Sequence, residues 1–350
     1  MVASSRGVTA ALPGIIYCIG LASISFLIWG YYKPASPMLW AFIFGIIVAN
    51  TVGLRVAFKS GVGFCSGQLL RFGVSVLGFV TSALIWTRVG VGVLAAFAVI
   101  IAALGLSLWL GVKLGLERRL AALIGAGTAI CGASAIAALT PAVNAKEEEA
   151  GLAVSGITLF GIISMLLYPF LFLNTPINGL LGGSLDAYGV WVGAGIHETA
   201  QVIAAAGAVD VSVVQTAMLI KSVRIFMIGP VVFALSWYCQ RCEGGSKKVK
   251  FIIPLFAVAF TIGSIVCAFL DLNTVQLIEA GIDWVAIKAY FSSTVLPFTF
   301  ATAFAGVGSK VSFSSILKLG TKPIILAASI AAMAGLLAFV SAVLLMPLIT

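Results

Sequence analysis

The sequence predicts an all-α polytopic membrane protein with about ten or eleven hydrophobic segments, built as an inverted repeat with two discontinuous or re-entrant helices. Three observations carry that prediction. The chain is 61% hydrophobic and only 9% charged, with a mean hydropathy of +1.19, whereas soluble proteins carry roughly a quarter charged residues. Its apolar runs recur at lengths near the ~20 residues that a bilayer-crossing helix needs. A small-residue segment with a polar centre also occurs twice. A β-barrel is excluded, because barrel strands alternate over ~10-residue segments and these runs do not.

The apolar segments cover 12–30, 38–53, 68–86, 89–111, 120–143, 150–173, 189–206, 212–238, 251–270, 284–305 and 322–348. Arg6 precedes a first run from Ala10 to Gly30 that is longer than a signal-peptide core, with no convincing cleavage site after it, so it reads as a spanning helix. Basic loops follow at 54–71 (Arg55, Lys59, Arg71), 112–119 (Lys113, Arg118, Arg119), 239–250 (Arg241, Lys247, Lys248, Lys250) and 309–322 (Lys310, Lys318, Lys322). The loop 271–283 carries Asp271, Glu279 and Asp283 without a basic residue. By the positive-inside rule the N-terminus is expected in the cytoplasm and the C-terminus outside. The net charge of +9 is spent on that orientation, and no nucleic-acid partner is expected.

The repeated segment reads Gly125-Ala-Gly-Thr-Ala-Ile-Cys-Gly-Ala-Ser-Ala-Ile-Ala-Ala138 in its first copy and Gly193-Ala-Gly-Ile-His-Glu-Thr-Ala-Gln-Val-Ile-Ala-Ala-Ala206 in its second. Each precedes a long apolar helix with a proline, Pro169 or Pro230. If segments five and seven both cross, the chain has eleven crossings; if both re-enter, it has nine crossings and two hairpins that approach from opposite faces. The second arrangement follows the inverted-repeat logic of secondary transporters, whose sites lie near the midplane where helices are interrupted. A fainter echo pairs Leu77–Ser82 with Val307–Ser312. Residues 1–350 form a single integral membrane domain in this reading, with candidate repeat halves 1–173 and 174–350.

Candidate binding residues fall at the repeated segments. Gly125, Gly127 and Gly132 allow a backbone break, and a new half-helix would offer N–H groups and a positive dipole end to an anion, with the hydroxyls of Thr128 and Ser134 and the side chain of Cys131 beside it. Close helix packing competes as an explanation for these small residues. In the second copy, His197, Glu198 and Gln201 are polar groups at membrane depth, where ionisable residues are costly and usually functional. Glu198 and His197 could move a proton, or could simply satisfy each other and Gln201. Lys221 and Arg224 stand one turn apart on one helix face, too deep to reach an interface easily. They fit an anion site or a partnership with Glu198. Glu147, Glu148 and Glu149 read as a solvated helix start, and Thr299 and Thr302 beside Pro297 as pathway candidates.

Several classes are excluded. No Walker A motif, nucleophile elbow, HExxH or Cys/His cluster is present, and Cys239-x-x-Cys242 with a single histidine is too little for zinc. No enzyme, cofactor or metal is expected. The pieces Thr128–Ala138, Ala145–Glu149, His197-Glu-Thr-Ala-Gln-Val202 and Lys221-x-x-Arg224, in that order, resemble the YeiH-type family of bacterial inner-membrane proteins, often labelled sulfate exporters. The resemblance extends over essentially the whole chain, with Thr199 standing where a valine commonly follows His-Glu. That family is grouped with bile-acid/sodium-symporter-like transporters, which implies discontinuous helices in a core and export of sulfate, sulfite or small sulfonates. The expected function is therefore a multi-pass secondary transporter in the bacterial inner membrane that exports a small anion held by Thr128, Cys131, Gly132, Ser134, His197, Glu198, Gln201, Lys221 and Arg224. A proton or Na+ is the coupling ion, lipid the surrounding partner, and a homodimer an open option. Two alternatives stand: a cation- or proton-coupled transporter with Glu198 as ion site, or an anion channel or sensor without turnover.

Overall fold

A computed structural model describes residues 5–31, 36–243, 255–314 and 320–348. Among them every regular element is helical. The principal helices are α1 (Ser5–Tyr31), α2 (Pro37–Val48), α3 (Val56–Val80), α4 (Val93–Lys113), α5 (Arg118–Ala129), α6 (Ala133–Ala142), α7 (Glu147–Asn174), α8 (Leu185–Gly195), α9 (Thr199–Gly207), α10 (Val211–Phe226), α11 (Ile228–Glu243), α12 (Leu255–Leu272), α13 (Trp284–Gly308) and α14 (Thr321–Leu345). Among the described residues, eight helical stretches are long and apolar enough to cross a membrane, α10 and α11 counting together as one. α2 and its continuation to Gly53 form a shorter apolar helix.

The predicted basic loop at 54–71 is corrected. Most of it is the first half of α3, which starts at Val56 behind Arg55. The stretch Cys65-Ser-Gly-Gln-Leu69 is wound as a π-helical turn inside α3. A similar turn, Phe291–Val295, lies inside α13 ahead of Pro297. Lys318 and residues 244–250, including Lys247, Lys248 and Lys250, lie outside the described residues, as does the side chain of Cys242.

The chain divides into two compact units, Met1–Leu84 with Leu255–Phe313 and Ile85–Pro254 with Ser314–Thr350. Each takes helices from both candidate halves. In the first unit, glycines allow backbones to touch. A Cβ on Gly61 of α3 would strike Ile15 N and Gly14 C of α1, so the two helices meet without side chains between them. Asn50 ties the end of α2 to the end of α13, donating to Val311 O at 2.8 Å and accepting from Phe313 N at 3.0 Å. Asp271 joins α12 to α13, accepting from Lys288 Nζ at 2.7 Å and Trp284 Nε1 at 2.8 Å.

The second unit resolves the choice between crossing and re-entry: both repeated segments are hairpins. Residues 119 and 144 would be about 38 Å apart along one continuous helix, yet the Arg119 guanidinium donates to Asn144 O at 2.8 Å. Residues 188 and 205 would be about 26 Å apart, yet Tyr188 Oη donates to Ala205 O at 3.1 Å. The α5–α6 hairpin turns at 130–132, where Gly132 adopts φ +71°, ψ −129°, a backbone state that only glycine takes without strain. The α8–α9 hairpin turns at 196–198, where Ile196 and Glu198 are extended. Glu147, Glu148 and Glu149 form the first turn of α7, where carboxylates complement the helix dipole; Lys146 N donates to Glu149 Oε2 at 2.7 Å. Because α7 runs from the open end of one hairpin to the open end of the other, the hairpins enter from opposite ends of it.

Candidate functional site

Each hairpin tip creates two new helix ends in the middle of the second unit. A helix end leaves its last carbonyls and first N–H groups without partners, and neither lipid nor side chains of Ala and Gly can supply them. The residues that supply them here are those that stood out as charged in an apolar sequence.

The carbonyl ends of α5 and α8 are met by α10. Arg224 donates through Nε to Ala129 O at 2.9 Å and through Nη2 to Thr128 O. Its Nη1 lies 3.2 Å from Gly193 O, 2.6 Å from Ala194 O and 2.9 Å from Ile196 O. Lys221 Nζ donates to Ile196 O at 2.8 Å and to His197 O. Both side chains are fully buried. One guanidinium therefore links the two tips, while the ammonium one turn earlier holds the second tip alone. Gly193 makes the approach possible, since a Cβ there would collide with Ala217 O of α10. Just past Arg224 the helix is interrupted at Met227, whose N–H reaches Arg224 O at 3.1 Å. Pro230, three residues on, has no N–H to continue the ladder.

The N–H ends of α6 and α9 are met by one carboxylate. Glu198 is the residue before α9, where its side chain accepts from Gln201 N while Glu198 N donates to Gln201 Oε1 at 3.2 Å. The same carboxylate lies 3.4 Å from Ala133 N, the first residue of α6. A Cβ on Gly132 would fall on Glu198 Cγ, so the glycine that turns the first hairpin also makes room for the acid of the second. Gln201 Nε2 donates to Thr158 O at 3.5 Å, and its amide fills the space left by Gly161, halfway along α7.

The sequence-predicted residues thus come together, in two electrically opposite places. Lys221 and Arg224 lie among six carbonyl oxygens. Glu198 lies at two helix N-termini. Thr128, His197 and Gln201 are buried and Cys131 nearly so, whereas Ser134, Glu198 and Thr199 are half-exposed. Thr128 Oγ1 and both ring nitrogens of His197 find no hydrogen-bond partner among the described residues. Thr299 and Thr302 instead donate to carbonyls of their own helix, Val295 O and Phe298 O.

Sequence reasoning passed over the aromatic brace of the second hairpin. Tyr168 stacks on Trp191 with centroids 4.4 Å apart, and Phe172 meets Tyr188 at 4.4 Å. Trp191 Nε1 donates to Gly335 O at 3.0 Å, fixing α8 to α14. The spacing of Tyr188 and Trp191, three apart on one face, was the available signal.

A family profile described as Conserved hypothetical protein 698 matches residues 13–327. The UPF0324 membrane protein of Pseudomonas aeruginosa is 34% identical over 330 residues, covering 91% of this chain and 89% of that protein. That of Pasteurella multocida is 31% identical over 299 residues, covering 84% of each. The UPF0324 inner membrane protein YeiH of Salmonella typhi is 30% identical over 330 residues, covering 90% and 89%. No solved structure matches the chain. With eight long apolar helices among its described residues and this similarity along nearly its whole length, the chain is a membrane protein and belongs to the UPF0324 family.

Proposed function

We propose that the protein is a secondary transporter that exports a small anion of the sulfate, sulfite or sulfonate kind from the cytoplasm across the bacterial inner membrane. One observation carries the reading: two helix N-termini from opposite-entering hairpins converge on a single half-exposed carboxylate, Glu198. A pair of N-termini at membrane depth is a favourable place for negative charge, and Glu198 is the negative charge that occupies it. A substrate anion would take the place of that carboxylate, with Ser134 and Thr199 as hydroxyl donors at the half-exposed edge.

Lys221 and Arg224 contribute in this reading by keeping the opposite helix ends neutralised and the cradle in shape, rather than by touching the anion. Binding of the anion is coupled to protonation of Glu198, because carboxylate and substrate compete for the same N–H groups. The basic residues Arg55, Lys59, Lys113, Arg118 and Arg119 support a cytoplasmic N-terminus by the positive-inside rule. The relative named an inner membrane protein supports the location.

A thermal-shift screen tests the cradle without assuming a direction of transport. Purified protein at mildly acidic pH should be stabilised in a saturable way by sulfate, sulfite or a small sulfonate and not by matched concentrations of a bulky organic anion. A shift of roughly 5 °C is expected when the ligand is ~100-fold above its dissociation constant. Equal response to every anion, or to none, contradicts the reading.

A further inference from the structure

The carbonyl cluster at the hairpin tips has the chemistry of a cation site. Hard monovalent cations are held by carbonyl oxygens in proteins much as they are by water. Here Ile196 O and His197 O point at the Lys221 ammonium, and Ile196 O is shared with Arg224. Gly193 O, Ala194 O, Thr128 O and Ala129 O complete the cluster around the guanidinium. Thr128 O, Ala129 O, Gly193 O and Ala194 O are last-turn carbonyls of α5 and α8 and lie at the negative ends of those helix dipoles, while Ile196 O and His197 O belong to the extended turn just past α8. Removed from water, such oxygens demand a positive charge. The two cations differ in how they answer. Arg224 spans both tips with a planar fork that no free ion can imitate. Lys221 is a compact point charge on an unbranched stem, reaching one tip through two oxygens.

We infer that the Lys221 ammonium is a tethered substitute for a free monovalent cation: the Ile196–His197 carbonyl pair is a cation site permanently filled by the chain itself. The site would accept Na+, or a small primary ammonium, once the side chain is removed. If the Glu198 cradle beside it is the transport site proposed above, exchange needs no external Na+ or K+, which leaves the proton on Glu198 as the coupling ion. The cation-site assignment itself stands on stability and is independent of any flux.

The test compares wild type, Lys221→Ala and Lys221→Gln in detergent, with gluconate salts of choline, Na+, K+, methylammonium and tetramethylammonium at equal ionic strength. Wild-type melting should be the same in all five. Lys221→Ala should melt lower in choline and recover by roughly 5 °C, saturably, in Na+ or methylammonium. Tetramethylammonium, which has the charge without N–H donors, should give no recovery. Lys221→Gln offers neutral donors to the same oxygens and should lie between the two without responding to cations. Stabilisation of wild type by Na+, an equal response of Lys221→Ala to choline and Na+, or failure of Lys221→Ala to yield monodisperse protein in any of the salts overturns the inference.

Discussion

Arg224→Ala is expected to disconnect the two hairpin tips, lowering stability by at least about 3 kcal/mol and abolishing anion exchange. The magnitude follows from two independent routes. Polar contacts inside membrane proteins average only about 0.6 kcal/mol each, and five such contacts converge on this one side chain. Breaking a buried charged cluster by removing one partner costs about 3–5 kcal/mol in soluble proteins. Both give the same order. Arg224→Lys should recover less than half of the loss, because an ammonium lacks the fork that reaches Thr128 O and Ala129 O on one tip and Gly193 O, Ala194 O and Ile196 O on the other. Chemical or thermal unfolding in detergent checks the first claim and exchange in proteoliposomes the second. An Arg224→Ala protein as stable as wild type would mean that the tips are held by something else.

Glu198→Gln should turn a pH-dependent anion affinity into a pH-independent one. The sign follows from competition. When Glu198 is protonated it no longer claims the N–H groups of α6 and α9, and an anion can bind. When it is ionised the cradle is occupied and the anion is excluded. Wild-type affinity should therefore rise as pH falls, by up to about tenfold per pH unit for a single linked proton, and level off once the carboxyl is fully protonated. The glutamine variant, uncharged like the protonated acid, should show the levelled affinity throughout. His197, Cys131, Lys221 and Arg224 are the other titratable groups near this point, and the first three are the controls for any residual pH dependence. Titrations of sulfate or sulfite binding at several pH values decide the matter. If Glu198→Gln instead abolishes transport of a cationic or neutral substrate, Glu198 is an ion site and the anion reading falls.

Much of this arrangement is legible in the sequence. The apolar segments, the two interrupted elements and every charged residue at the tips follow from composition, duplication and the cost of ionisable groups in a bilayer. Two features are not. Periodicity cannot distinguish a segment that crosses from one that turns back, because both read as apolar helix until a side chain such as Arg119 or Tyr188 links their ends. The second is partnership. Lys221 and Arg224 face a helix surface that is free in the sequence, and an anion or a carboxylate are the partners that charge suggests. The structure gives them carbonyls instead, since hairpin tips create orphan backbone groups that no sequence pattern announces. The stretch 54–71 was misread for a different reason: Arg55, Lys59 and Arg71 suggested a loop, yet only Arg55 precedes the helix that starts at Val56.

The most direct test of the central claim is counterflow in proteoliposomes. Vesicles loaded with unlabelled sulfate or sulfite and diluted into a trace of the labelled anion should accumulate label transiently above equilibrium, faster at acidic pH, with the overshoot abolished by Arg224→Ala. Label that merely equilibrates without an overshoot identifies a channel, and vesicles that take up no anion above protein-free controls contradict the account.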